Sequence, residues 1–219
     1  MFISWFGESC FKFVFRTSFG EDVVFVDLLD GKRTGLKAPR IHDALALLWS
    51  DGEQPLAQEY ARRLPETLSL THPGEYERHT VCIQGVPLWT EVTEHAHEHV
   101  LFRIDAEEIS LAHLTLPDDA LRDHQMEVLE GVDILCISVG GNGVANAKQA
   151  AAVVGRIEPR IVIPMHQHIP HLSVKRDTLD AFTKELGISP ESPVQKYTVK
   201  KKDLPQDRMF LQPMDIANA

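Results

Sequence analysis

Ala44–Pro55 reads ALALLWSDGEQP, an apolar run that stops at a polar turn. Ala, Leu and Trp fill Ala44–Trp49 without alternation, as expected for a strand buried on both faces between other layers. SDGEQP then carries the Gly and Pro of a turn. The preceding GLKAPRIH leads in as a loop rich in Gly, Lys and Arg. A short strand with no polar face needs cover above and below, and the flanking elements decide what supplies it.

Upstream, Phe2–Phe6, Cys10–Phe15 and Asp22–Val26 are β-rich runs separated by short turns, which predicts consecutive hairpin strands. Asp27 closes the third of them in VVFVDLL. Downstream, helical spacing over Leu56–Leu64 ends at Pro65, Leu68–Thr71 is a short strand, and HPGEYE (72–77) is read as a sharp turn before the strand Val81–Val86. Residues 87–98 read as an irregular hairpin, followed by strands at Val100–Ile104 and Ile109–His113. The period then changes. A helix is expected from Pro117 to about Leu129, a strand at Asp133–Val139, an Ala-rich helix from Asn146 as its cap to Ile157, a buried strand at Arg160–Met165, and a helix over Lys175–Leu186 stopped by Gly187. Hairpins followed by β-α-β units imply an α/β fold, an αββα sandwich of two mixed β-sheets flanked by helices. No repeat or long linker divides the chain, so residues 1–219 are expected to form one domain.

With 219 residues, 24.6 kDa and 43% hydrophobic content, the chain can bury a full core. Its formal charge of −10 and pI near 5.5 argue against nucleic acid or an anionic membrane as partner. No apolar run approaches the roughly 20 residues of a membrane helix, and MFISWFGESCFKF lacks the sections of a signal peptide. The cytoplasm is the expected location. Cys10, Cys82 and Cys136 are scattered and odd in number, which predicts reduced, mostly buried thiols.

Taken together, WFGESCFKF, VVFVDLL, GLKAPRIHDALALL, HPGEYE, ISLAHL, VDILCISVGG, AKQAAAVVGRIEPRIVIPMH, LGISP and KYTVKKKDLP run in order over nearly the whole chain. The sequence resembles the metallo-β-lactamase fold superfamily, and within it the short bacterial branch of zinc-dependent hydrolases similar to ascorbate-phosphate lactonase. That resemblance implies a dinuclear zinc site, with His-x-His-x-Asp-His in the turn after the buried strand, a bridging carboxylate after a His-Leu-Gly sequence, and a last histidine in Pro-Met-His. Residue by residue, the implied ligands are mostly missing. The turn positions hold Ser50, Gly52, Gln54 and Pro55, beside Asp51. The bridging position holds Leu116 and an expected Asp after VGG is Asn146. His166 alone survives. Gly and Pro have no side-chain donor, and Ser and Gln are poor zinc ligands.

Two functions follow as expectations. One is a pseudoenzyme with no metal cofactor, its old pocket marked by Ser50, Asp51, Gly52, Gln54, His72, Glu75, Leu116 and His166, binding a small-molecule ligand or a protein partner such as a catalytic paralogue. The other is a hydrolase of an ester, lactone or phosphodiester, using zinc or manganese on relocated ligands drawn from His72, His166, His168 and the cluster His95, His97 and His99. In a strand those three would share a face, which would either bind metal or simply be solvated beside Glu94 and Glu98. His113 is expected to pack or hydrogen-bond, and PGEY to be a structural turn. Gly140–Gly143 lacks a complete nucleotide-binding motif, and no nucleophile elbow surrounds Ser50. A homo-oligomer, helped by exposed residues such as Trp89, is an expectation by analogy.

Overall fold

Apolar side chains from both faces of each sheet set the layering. The structure, a computed structural model, describes residues 1–50, 55–88, 99–116 and 121–218. The strands β1 (Phe2–Gly7), β2 (Cys10–Thr17) and β3 (Gly20–Val26) form an antiparallel series with Trp5 opposite Phe11 and Phe11 opposite Val26. A one-turn helix α1 (Gly31–Thr34) follows. The buried strand β4 (Ala46–Leu48) then returns parallel to β3, and the helix α2 (Pro55–Arg63) leads to β5 (Leu68–Leu70), parallel to β4. Together with the late strand β12 (Tyr197–Thr198) these make a six-stranded mixed sheet in the order β12-β1-β2-β3-β4-β5.

The second sheet is built from β6 (Gly74–Arg78), β7 (Val81–Leu88), β8 (His99–Ala106), β9 (Ile109–Leu114), β10 (Ile134–Ser138), β11 (Ile161–Met165) and β13 (Phe210–Leu211). Its order is β13-β11-β10-β9-β8-β7-β6, antiparallel from β6 to β9 and parallel from β9 to β13. The helices α3 (Asp123–Leu129), α4 (Ala147–Ile157) and α5 (Leu179–Leu186) supply its outer cover. A central core of Trp5, Phe11, Phe13, Phe102, Ile104 and Ile163 lies between the sheets. A second core joins Leu135, Ile137 and Val162 to Val154 and Phe182 of the helices, and a third joins Phe25, Leu47 and Trp49 to Ala57 of α2. The order is helix, sheet, sheet, helix, as the sequence predicts. β4 shows the reason: Ala46 and Leu48 enter the central core while Leu47 and Trp49 enter the α2 side.

The structure departs from the sequence reading in three places. GEYER is an edge strand rather than a sharp turn, because Glu75 and Glu77 alternate outward while Tyr76 packs against the central core. The helix expected from Lys175 starts at Leu179, because residues 176–177 spend their polar groups on neighbouring loops: Asp177 N donates to Gly140 O at 2.9 Å and His168 N donates to Asp177 O at 2.8 Å. The helix expected from Pro117 starts at Asp123, and residues 117–120 lie outside the described part, as do residues 89–98 of the expected hairpin. Asn146 caps α4 as expected, in a reciprocal box with Gln149. Cys10 and Cys136 are buried free thiols whose pKa burial pushes far up; Cys82 is exposed.

Candidate functional site

β3 and β4 of one sheet and β9, β10 and β11 of the other are parallel within their sheets, and the residues just past their C-terminal ends gather at one rim of the sandwich, where α/β sheets place ligands. Asp27, Ser50, Thr115 and His166 follow four of these strands. Together with Glu8 of the β1–β2 turn, His99 at the start of β8, Arg33 and Arg176 they line a cavity of about 270 Å³.

The floor of the cavity is a hydroxyl–carboxylate network. Asp27 is 5% exposed, and its Oδ1 accepts from Ser50 N at 2.7 Å. Ser50 Oγ donates to Asp27 Oδ2, and Thr115 Oγ1 donates to the same oxygen at 3.4 Å. The two hydroxyl oxygens are 3.2 Å apart. Val100 N donates to Ser50 O at 2.8 Å, which ties Ser50 to β8 of the second sheet. Buried groups so paired are held in one geometry.

A second part of the cavity lining is ionic. Arg176 grips Glu8 with both arms of its fork, at 2.7 and 3.2 Å, and donates to Gly141 O and Asn142 O at 2.8 and 3.0 Å. His166 lies beside this pair, with its Nδ1 3.0 Å from Ser138 Oγ and its Nε2 3.9 Å from Glu8 Oε2. Burial, then the charge of Arg176, holds the pKa of His166 well below the usual 6.5, so the ring is neutral. His113 is also buried and neutral: burial lowers its pKa, its Nε2–H donates to Ser9 O at 2.9 Å, and its ring stands edge-on to Phe11. His99 presents a buried Nδ1 that has no hydrogen-bond partner among the described residues.

Three of the cavity-lining residues also carry backbone strain. Glu8, Asp27 and His166 all have left-handed φ, at 48°, 50° and 59°. For residues other than Gly this costs roughly 1–2 kcal/mol each, which is the pattern of a site held by its surroundings.

Of the residues singled out in the sequence, Ser50 and His166 line the cavity. Leu116 is 1% exposed and belongs to the helix-side core, so the position implied for a bridging carboxylate packs away among aliphatic side chains. Pro55 opens α2, where a missing N–H costs nothing. His72 is exposed, with its ring 2.8 Å from Thr71 Oγ1, Glu75 is exposed on β6, and His168 is exposed. The structure therefore does not bring His72, His166 and His168 together. Asp51, Gly52, Gln54, His95, His97 and Trp89 lie outside the described residues. Among the described residues, no group of three or more His, Cys, Asp or Glu is placed to hold a metal ion. Zinc needs three or four such donors. Here Glu8 is committed to a guanidinium and Asp27 to Ser50, so the described donors do not fit a dinuclear centre. Sequence reasoning missed Glu8, Thr115, Ser138 and Arg176. Asp27 had a signal, as a carboxylate ending an apolar strand; Arg176 had none.

Two buried neutral imidazoles make stability depend on pH. The unfolded chain binds their protons near pH 6.5, while the folded chain resists doing so, so the unfolded state gains protons first as pH falls. Stability is therefore complete above about pH 6.5 and lost below it, at up to about 1.4 kcal/mol per pH unit for each ring. Urea unfolding between pH 7.5 and 5 checks this, and His113→Gln should flatten the slope.

A family described as beta-lactamase superfamily domain matches residues 2–166. The chain belongs to the metallo-β-lactamase superfamily. Among solved structures it is similar to a Thermotoga maritima member of that superfamily whose name proposes a zinc-dependent hydrolase, at 23% identity, 97% of this chain, 98% of that chain and a TM-score of 0.75. It is also similar to a metallo hydrolase from the hyperthermophilic archaeon Ignicoccus hospitalis, at 13% identity, 99% and 96% coverage and a TM-score of 0.63. At these identities the likeness establishes the fold and leaves the chemistry to the site. Among the described residues no helix is long and apolar enough to cross a membrane.

Proposed function

We propose that this chain is a metallo-β-lactamase-fold protein, derived from the short lactonase-like hydrolases, that works without the dinuclear zinc centre and binds a small polar ligand in the old cleft. The observation that carries this reading is the Ser50–Asp27–Thr115 network, which fills the strand ends with hydroxyls and a committed carboxylate and lines a cavity of about 270 Å³. The cleft offers hydroxyls, a neutral imidazole and the guanidinium of Arg33 at its edge, groups that orient a polar ligand by hydrogen bonds. No metal cofactor, nucleic acid or membrane belongs to this reading, and it places the protein in the cytoplasm, alone, as a homo-oligomer or beside a protein partner.

The test is NMR of the chelator-treated protein against small carboxylates, phosphates and polyols. Shifts clustering at Ser50, Thr115, Arg33 and His166 are expected. Shifts confined to other surfaces, or seen only after zinc is added, would reject the reading.

One observation favours a second reading, a metal-dependent hydrolase of an ester, lactone or phosphodiester with a mononuclear zinc or manganese. His99 and His166 line the same cavity, and His99 Nδ1 has no hydrogen-bond partner among the described residues. Metal-dependent turnover abolished by either His→Ala substitution would establish it.

A further inference from the structure

Among the ion-paired arginines of the described residues, Arg176 has the most buried side chain. Arg16 and Arg63 make ion pairs on the open surface, with side chains 64% and 56% exposed. Arg103 holds Asp105 and two backbone carbonyls in a similar way, but its side chain is 21% and that of Asp105 42% exposed. That of Arg176 is 8% exposed, against a Glu8 side chain 7% exposed. Burying a guanidinium and a carboxylate together removes both from water, and the result holds only if the remaining donors are also satisfied. Two of the remaining three are: the same guanidinium donates to two backbone carbonyls, Gly141 O and Asn142 O. Glu8 is anchored in turn by its own backbone, whose carbonyl accepts from Trp5 Nε1 at 2.9 Å and from His166 N at 3.3 Å.

The three segments so joined are far apart in the chain. Glu8 turns between β1 and β2 of the first sheet. Gly141 and Asn142 lie between β10 and α4, and Arg176 lies between β11 and α5, both on the second sheet. A cation coordinated by a carboxylate and two carbonyls, with an imidazole at its side, is the arrangement by which a bound ion pins loops together.

We propose that the guanidinium of Arg176 is the resident cation of this cleft, neutralising the buried carboxylate of Glu8 and clamping the two sheets at the strand ends in place of a metal ion. The proposal rests on the metal-independent reading of the cleft. Arg176 is a positioning residue in this account: through Glu8 it holds the backbone of His166 at the cavity wall. The planar fork matters as well as the charge, since only a guanidinium reaches both carboxylate oxygens and two carbonyls at once.

The test is a double-mutant cycle in urea unfolding at pH 7.5, using wild type, Arg176→Met, Glu8→Gln and the double variant, with Arg176→Lys as the conservative control and every protein measured with and without EDTA. Arg176→Met leaves a buried carboxylate unpaired and should raise the unfolding equilibrium constant on the order of 10²–10³-fold. The double variant should recover at least about tenfold of that loss, because the uncompensated charge is gone. Arg176→Lys should fall between wild type and Arg176→Met. If Arg176→Met does not fold, the double variant should still do so.

Arg176→Met as stable as wild type, no coupling with Glu8, Arg176→Lys no better than Arg176→Met, or a double variant that is also unfolded would each overturn the proposal. A wild-type midpoint that falls with EDTA would instead overturn the metal-independent reading beneath it.

Discussion

Gly140→Ala is expected to cost about 3 kcal/mol or more and to displace His166 from the cavity wall. An ideal Cβ at Gly140 would lie 1.7 Å from His166 O and 2.8 Å from His166 C, both of them backbone atoms. Neither chain can retreat. Val139 N donates to Met165 O at 3.0 Å, Asp177 N donates to Gly140 O at 2.9 Å, and His166 N is tied to Glu8 O. The close approach of these two segments is what sets the imidazole beside Ser138. A control comes from Gly155 in α4, where an added Cβ meets nothing within 4 Å. Gly155→Ala should stabilise by up to about 1 kcal/mol from helix propensity alone. Equilibrium urea unfolding measures both, and equal effects at the two glycines would contradict the assigned contact.

Asp27→Ala should cost about 3 kcal/mol, and Asp27→Asn roughly a third as much. Alanine leaves Ser50 N without its acceptor in a buried position and strips the hydroxyls of Ser50 and Thr115 of theirs. It must also hold φ at 50°, which Asn tolerates and Ala resists. An asparagine keeps an oxygen for Ser50 N, and its amide can donate to Ser50 Oγ once that hydroxyl turns. Two variants of equal stability would mean that the network does not organise the cleft.

The fold was legible because burial dictates it locally. The uninterrupted apolar run at Ala46–Trp49 had to be covered twice, and the alternating hairpins before it had one face to hide. GEYER misled because its glycine and histidine-proline start look like a turn, while the deciding fact, Tyr76 reaching the central core, depends on a partner strand.

The site was half legible. That Ser50, Pro55 and Leu116 carry no metal-binding chemistry was visible from residue type alone. The pairings that line the cavity were not, because Glu8 and Arg176 meet across 168 residues and Asp27 meets Ser50 and Thr115 across separate strands. Pairings of that kind are set by topology, which residue patterns report only in outline. His72 and His168 looked like ligands by type and proved to be solvent-facing.

Metal content tests the central claim most directly: elemental mass spectrometry on untagged protein purified without chelator, then again after loading with zinc or manganese and dialysis. The account predicts folded protein carrying well under one ion per chain in both states. One or two ions retained per chain would contradict it and return His166 and His99 to the role of ligands.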